Sequence, residues 1–312
     1  MNGAPNSSID SNEVRSSQPD LRGRVAIVSG GGKGLGRSFS LELAAHGAKV
    51  LVNNRNRVVD DAGRGPADHV VEEIRDAGGE AIADYHDVAE PSSGRAMVQA
   101  AMDQWGRLDI CVANAGIGTG GMFHKETDEQ FEALLAINLL GAARLARAAM
   151  IVMRPAGYGR IVLVASTGGL HGDVGLSAYA ASKGGMISLG RSLAAEGVRR
   201  GVLTNLLLPY ATTQMTDSGM DDRYASTVTA ESVAPVLTAL VDQHCNLNGQ
   251  LIVTGAGRIR CASVVEWGTV LLPDDLGPQE LEELVRRSKT ADPREFNGAN
   301  EAFLDFMGGQ PL

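Results

Sequence analysis

The chain has 312 residues, 44% of them hydrophobic, with 39 glycines, 4% aromatics and a formal charge of −9. That length is ample for a large core, and the glycine-rich, aromatic-poor balance suits many tight strand-to-helix turns more than an all-β sandwich. The acidic surplus argues against a nucleic-acid surface, which needs a basic face, and Cys111, Cys245 and Cys261, scattered without a CxxC, read as reduced thiols in a cytoplasmic protein.

Residues 1–20 are polar, lack an apolar signal-peptide core and read as a disordered extension. From about Arg24 to Thr254 short apolar runs alternate with longer amphipathic ones. Arg24–Ser29, Lys49–Val52, Ala81–Asp84, Asp109–Ala113, Ile161–Ala165, Leu203–Leu208 and Leu251–Val253 are predicted strands. Between them Leu35–His46, Ala67–Ala77, Ser92–Trp105, Asp128–Met153, Ala178–Val198 and Glu231–Asp242 are predicted helices. Continuous Val/Ile/Leu strands separated by helices indicate a parallel sheet covered on both faces. Right-handed crossovers then give an α/β, doubly wound, seven-stranded sheet of the Rossmann type, in the order 3-2-1-4-5-6-7. The expected catalytic domain is 21–256. Residues 257–312, with a predicted helix at Gln279–Arg287, form a short C-terminal extension packing on that domain or on a neighbouring subunit. No run of about 18 uninterrupted apolar residues occurs, so no membrane span is expected, and the Gly-Gln-Pro-Leu ending carries no targeting address.

The first strand runs into Ser29-Gly30-Gly31-Gly32-Lys33-Gly34-Leu35-Gly36. Glycines permit a tight turn and let the backbone approach a pyrophosphate, and the helix that follows offers free N–H groups at its positive end. Gly30, Gly34 and Gly36 fit GxxxGxG; no triple fits GxGxxG. At the tail of the second strand an acidic residue would bind both ribose hydroxyls of NAD. Here neutral Asn54 is followed by Arg55. Losing the carboxylate removes repulsion against a 2′-phosphate, and Arg55 and Lys33 could pair with one. This charge argument favours NADP(H), with NAD(H) the alternative.

Tyr179-Ala180-Ala181-Ser182-Lys183 opens a long predicted helix, so Tyr179 and Lys183 share a face one turn apart. Ser166 lies thirteen residues upstream, at the end of a strand. A free phenol titrates near 10, and acting near neutrality needs a shift of roughly three units, or about 4 kcal/mol. A lysine ammonium one turn away can stabilise the phenolate, and Ser166 can hold a substrate oxygen against the phenol.

With these residues the chain resembles the short-chain dehydrogenase/reductase family over about 21–256. The matching positions are Gly30, Gly34 and Gly36, Asp87-Val88, Ala113-Asn114-Ala115-Gly116, Asn138, Ser166, Tyr179 and Lys183. The resemblance implies hydride transfer between a nicotinamide dinucleotide and a ketone or secondary alcohol, with a catalytic tetrad of Asn138, Ser166, Tyr179 and Lys183. In it Tyr179 is the acid/base, Asn138 holds a water that relays protons from Lys183, and Lys183 also binds the nicotinamide ribose. Asp87 and Val88 would meet the adenine, and Asn114, Ala115 and Gly116, with Leu35, Pro209 and Thr212, would line the cofactor. The shortened Pro209–Thr216 segment, the long 56–66 loop and the tail with Trp267 look like the (3R)-hydroxyacyl-CoA dehydrogenase part of peroxisomal multifunctional enzymes and bacterial relatives. Those relatives carry Asp where Asn54 stands and prefer NAD, which conflicts with the charge argument.

Thr167, Gly168, His171 and Tyr210 are expected at the substrate pocket, and Tyr210–Ser226 is expected as a lid. A solvent-facing His171 is the plainer reading. The histidines lack metal-ligand spacing, so no metal is expected. The Ala133–Met153 stripe and the Tyr179 helix are expected to build a homodimer or homotetramer. The substrate would be a 3-ketoacyl, polyketide-derived or cyclic ketone. Two alternatives are a non-catalytic dinucleotide sensor, which would need no proton relay, and a sugar epimerase or dehydratase, whose usual GxxGxxG and larger C-terminal domain are absent.

Overall fold

The computed structural model describes residues 18–55, 58–118, 120–212 and 226–308. Strands β1 (Val25–Ser29), β2 (Lys49–Asn53), β3 (Ala81–Asp84), β4 (Ile110–Ala113), β5 (Gly159–Val164), β6 (Val202–Pro209) and β7 (Leu251–Gly255) lie in the order β3-β2-β1-β4-β5-β6-β7. The register confirms parallel pairing from β3 through to β7, as in Ile27 opposite Leu51 and Cys111 opposite Ile161. Every residue of β1, β4, β5 and β7 is buried, as strands covered on both faces must be.

An eighth strand adds to the seven that were expected. After β7 the chain turns through Ala256 and Gly257, at φ 50° and 67°, and β8 (Arg258–Ala262) folds back on β7 as the sheet edge. Two consecutive residues of positive φ match the twist of a two-residue hairpin.

Helices α1 (Gly34–Ala45), α2 (Pro66–Asp76) and Ala234–Val241 cover one face. Helices α3 (Ser93–Trp105), α4 (Asp128–Leu135), α5 (Ala142–Ala156) and α7 (Ser177–Gly197) cover the other, while α6 (Gly168–His171) is a single turn after β5. α4 starts on a capping box, in which Thr127 Oγ1 accepts from the Gln130 amide and the Gln130 side chain accepts from the Thr127 amide. The predicted Asp128–Met153 helix is one continuous body to Ala156, but a π turn at Ala136–Gly141 separates α4 from α5. By length and composition this 29-residue helix could cross a membrane. Leu145, Ala149 and Met153 are instead buried, and α5 packs against α3, β4 and β5.

The predicted extension 1–20 lies mostly outside the described residues; at its end the Asp20 amide donates to Asp242 Oδ2 at 3.0 Å. The chain divides into two compact units, Met1–Arg260 and Cys261–Leu312. Within the second, Val265–Glu266 pairs antiparallel with Arg294–Glu295, and helices Pro278–Ser288 and Ala299–Gly308 bury none of their residues.

Candidate active site

The C-terminal ends of β1, β2, β4, β5 and β6 open on one side of the sheet, where the strand order reverses between β1 and β4. Parallel α/β sheets bind ligands in that crevice. A cavity of about 450 Å³ occupies it, continued by a second of about 140 Å³. Both touch Gly30, Asn54, Ala115, Gly116 and Ile117.

The glycine turn forms the floor. Gly30 and Gly34 have φ of 65° and 50°. A Cβ on Gly30 would stand 2.9 Å from Ala115 Cα, and one on Gly36 would stand 2.0 Å from the Gly30 carbonyl oxygen. Only bare backbone fits, which keeps the floor open to a ligand. Lys33, Gly34, Leu35 and Gly36 line the larger cavity at the start of α1. Asn114 braces this turn from β4, its Nδ2 donating to the carbonyls of Ser29 and Gly30. Ser29, which sequence reasoning passed over, accepts from the amides of both Asn114 and Ala115 through its hydroxyl.

The smaller cavity is lined by Asn54, Arg55, His86, Asp87, Val88 and Ile137, among others. Arg55 does not stand free towards a phosphate as expected. Its Nη1 pairs with Asp87 Oδ2 at 2.8 Å. The reason is register: Asn53 on β2 lies opposite Asp84 on β3, so residues just beyond the two strand ends come together.

At the other end are Ser166, Tyr179 and Lys183. The Ser166 hydroxyl accepts from the Gly168 amide at 3.1 Å and faces the same cavity as the Tyr179 phenol. A Cβ on Gly168 would lie 3.6 Å from the Tyr179 ring, so this glycine gives the phenol its wall. Thr167, Pro209 and Tyr210 also line the cavity. Lys183 is 4% exposed; its Nζ donates to the Val164 carbonyl at 2.8 Å and stands 5.8 Å from the Tyr179 ring centre.

The titration picture differs from the expected one. Burial holds the Tyr179 phenol above its ordinary value, and the Ser166 hydrogen bond opposes that only in part. Burial also pushes Lys183 down, to about 8. The amine's hydrogen bond goes to the Val164 carbonyl, with the phenol ring beyond it.

Asn138 sits in the π turn and is fully buried. Its Oδ1 accepts from the Ile117 amide at 2.8 Å, and its Nδ2 donates to the Ile117 carbonyl and to Ser182 Oγ. Ser182 in turn donates to the Tyr179 carbonyl at 2.7 Å. The side chain is therefore a strut between the β4 loop and α7. Gly116 passes between it and Lys183: a Cβ there would lie 3.3 Å from Asn138 Oδ1 and 3.6 Å from Lys183 Nζ.

Two expected residues stand apart. His171 is exposed at the end of α6 and does not line either cavity. Thr212 is likewise absent from both walls, its amide donating to the Val228 carbonyl at 2.6 Å. Most of the expected lid, residues 213–225, lies outside the described residues. Among the described residues no group of three His, Cys, Asp or Glu could hold a metal ion.

Residues 24–224 match the sequence model of the short chain dehydrogenase family. A Mycobacterium tuberculosis protein named as a short-chain type dehydrogenase/reductase is 39% identical over 244 residues, 78% of this chain and 85% of that one. The peroxisomal multifunctional enzyme type 2 of Drosophila melanogaster is 37% identical over 274 residues, 86% of this chain but 45% of that protein. The chain thus spans less than half of that multifunctional relative. Among solved structures, a short chain dehydrogenase from Mycobacterium avium superposes with a TM-score of 0.76 at 34% identity, covering 89% of this chain and 99% of that one. The full-length Drosophila enzyme gives 0.78 at 29% identity, covering 93% of this chain and 49% of that one.

Proposed function

The chain belongs to the short-chain dehydrogenase/reductase family, nicotinamide-dependent oxidoreductases of alcohols and ketones, and from that premise we propose that it interconverts a 3-ketoacyl thioester and its 3-hydroxy form with Tyr179 as acid/base. The observation that carries the reading is the meeting of Ser166, Tyr179 and the buried Lys183 amine at one wall of the larger cavity. Likeness to the peroxisomal multifunctional enzymes supports the thioester substrate over other ketones.

The residues present fit a dinucleotide. Gly30 and Gly36 leave a cradle that any Cβ would fill, Lys33 adds a cation beside the start of α1, and the trough runs on to Asp87 and Val88. When bound, the nicotinamide supplies or accepts the hydride. In the reducing direction the Tyr179 hydroxyl gives its proton to the substrate oxygen while Ser166 holds that oxygen in place. Lys183, already lowered towards neutrality by burial, restores the proton to the phenol. Acid/base groups work best with pKa values near the working pH. The neutral Asn54 and the Lys33 cation support NADP(H) over NAD(H), because at the β2 end itself a 2′-phosphate would meet an amide rather than a carboxylate.

The test is Tyr179→Phe, assayed with a 3-ketoacyl-CoA and either NADPH or NADH at the reduced-nicotinamide absorbance. Turnover is expected to fall by roughly 10²–10⁴, the usual contribution of a positioned acid/base. Dinucleotide affinity should stay within about twofold, since the phenol carries no ordinary charge. A Tyr179→Phe enzyme with near-normal turnover removes the assigned role.

A further inference from the structure

The smaller cavity has an imidazole in its wall. His86, just beyond β3, lines it beside Asn54, Arg55 and Asp87. Its side chain is half exposed, yet the ring is fixed from behind: Nδ1 lies 2.8 Å from Asp84 Oδ2, and that carboxylate is only 6% exposed. Asp84 Oδ1 also accepts from Asn53 Nδ2 at 2.6 Å and from the His86 amide at 3.2 Å. Asn53 donates to the His86 carbonyl as well, and its own Oδ1 accepts from the Gly30 amide at 3.4 Å. One buried network therefore joins the ends of β2 and β3 to the glycine turn, three walls of the dinucleotide trough, and its outward member is an imidazole.

We propose that His86 is a specificity-determining residue of this trough, its Nε2–H donating to a phosphate on the 2′ position of the adenine-side ribose while Asp84 anchors the ring. A carboxylate only accepts, so the nitrogen facing Asp84 is the one bearing hydrogen, and Nε2 is left to meet a ligand. Arg55 alone brings little net attraction, because Asp87 already neutralises it. An imidazolium between the Asp84 carboxylate and a ligand phosphate has one N–H for each anion, which is the charge-assisted kind of bond. If His86 merely capped the end of β3, an asparagine would satisfy Asp84 equally well. That difference makes the two roles separable.

The proposal rests on the NADP(H) reading, and the experiment separates the two. Titration calorimetry of the full chain with adenosine 2′,5′-bisphosphate and with 5′-AMP compares ligands that differ only by the 2′-phosphate. The wild type should bind the bisphosphate more tightly. His86→Asn, which keeps a donor to Asp84 but has nothing at the Nε2 position, should reduce that preference by about tenfold or more, as loss of one hydrogen bond to a charged group does. His86→Gln, which places its amide donor near Nε2, should retain most of it. If Arg55→Ala abolishes the preference while His86→Asn leaves it intact, the cofactor reading stands and the role of His86 falls. Equal binding of the two ligands by the wild type overturns both.

Discussion

The two ends of the parallel sheet both bury charge, but in opposite ways. At the N-terminal ends of the strands, Asp109 (3% side-chain exposure) is shared by Arg24 and Arg107, with N–O distances of 3.0 and 2.6 Å. It also accepts from the Val25 amide. Arg24 and Arg160 stand over the Tyr158 ring, 4.0 and 4.5 Å from its centre. Each strong charge there has a counter-ion or a ring. At the C-terminal ends, Lys183 is as deeply buried and among the described residues has no carboxylate beside it, its Nζ donating to a carbonyl and the thioether of Met186. The compensated end holds strands together. At the other end, where Asp84 and Asp87 are paired with His86 and Arg55, the Lys183 site stores a group whose charge is disfavoured, which is what makes it able to release a proton near neutrality.

The strongest way to break this contrast is to exchange the two roles by mutation. Lys183→Met should lower turnover by roughly 10²–10⁴, the scale of a lost acid/base relay, with no loss of stability at pH 7, because a buried charge without a counter-ion is replaced by an apolar chain. The pH dependence checks the cause. The folded-state value of Lys183 is depressed, to about 8 from 10.5, so the unfolded chain binds more protons between those values and stability must rise with pH across that window. The penalty is complete below about pH 8 and gone above about 10.5, and amounts to about 3 kcal/mol. Wild type should gain on Lys183→Met in reverse: the stability difference between them, read by denaturant unfolding, should shift in favour of wild type from pH 8 to 10.5. A flat difference would mean that the amine is not desolvated as described. Next in size, Asp109→Asn should cost about 2–4 kcal/mol by leaving guanidinium groups short of a carboxylate, while KM and turnover of the folded enzyme stay unchanged. A selective loss of turnover would erase the division between the ends.

Much of this was legible in the sequence, and what was not has a physical cause. The seven parallel strands announce themselves as apolar runs because both faces are covered. β8 does not, since Arg258–Ala262 carries two arginines and is largely exposed, as suits an edge strand. Gly30, Gly36, Tyr179 and Lys183 are readable because their chemistry depends on residue type and local spacing. The partners that hold them are not. Ser29 and Asn114 are 85 residues apart, Asn138 and Ser182 are 44 apart, and Arg55 and Asp87 are 32 apart. Each pair exists only after strand or helix packing brings it together. Helical spacing likewise shows that Tyr179 and Lys183 share a face, but not that the amine takes the Val164 carbonyl as its acceptor. The π turn around Asn138 left no mark in Ala136–Gly141, whose residues would serve an ordinary helix.

The smallest effect sharpens the comparison through two tyrosines. Tyr158 at one end and Tyr179 at the other are both shielded from water, and burial raises the phenol of each. Two guanidiniums draw Tyr158 back down, and its hydroxyl donates to the Val241 carbonyl at 3.4 Å. What Tyr158 contributes is its ring face, to which the cations of Arg24 and Arg160 are attracted. Tyr158→Phe keeps that face and should change stability by less than about 1 kcal/mol, the value of a weak neutral hydrogen bond, with turnover unaltered. Tyr158→Leu removes the face and should cost about 1–2 kcal/mol more, through lost cation–π contact and ring burial. Thermal unfolding of the two variants distinguishes the cases. Should Tyr158→Phe destabilise as much as Tyr158→Leu, the hydroxyl would be the structural element, and the two phenols would differ in degree rather than in kind.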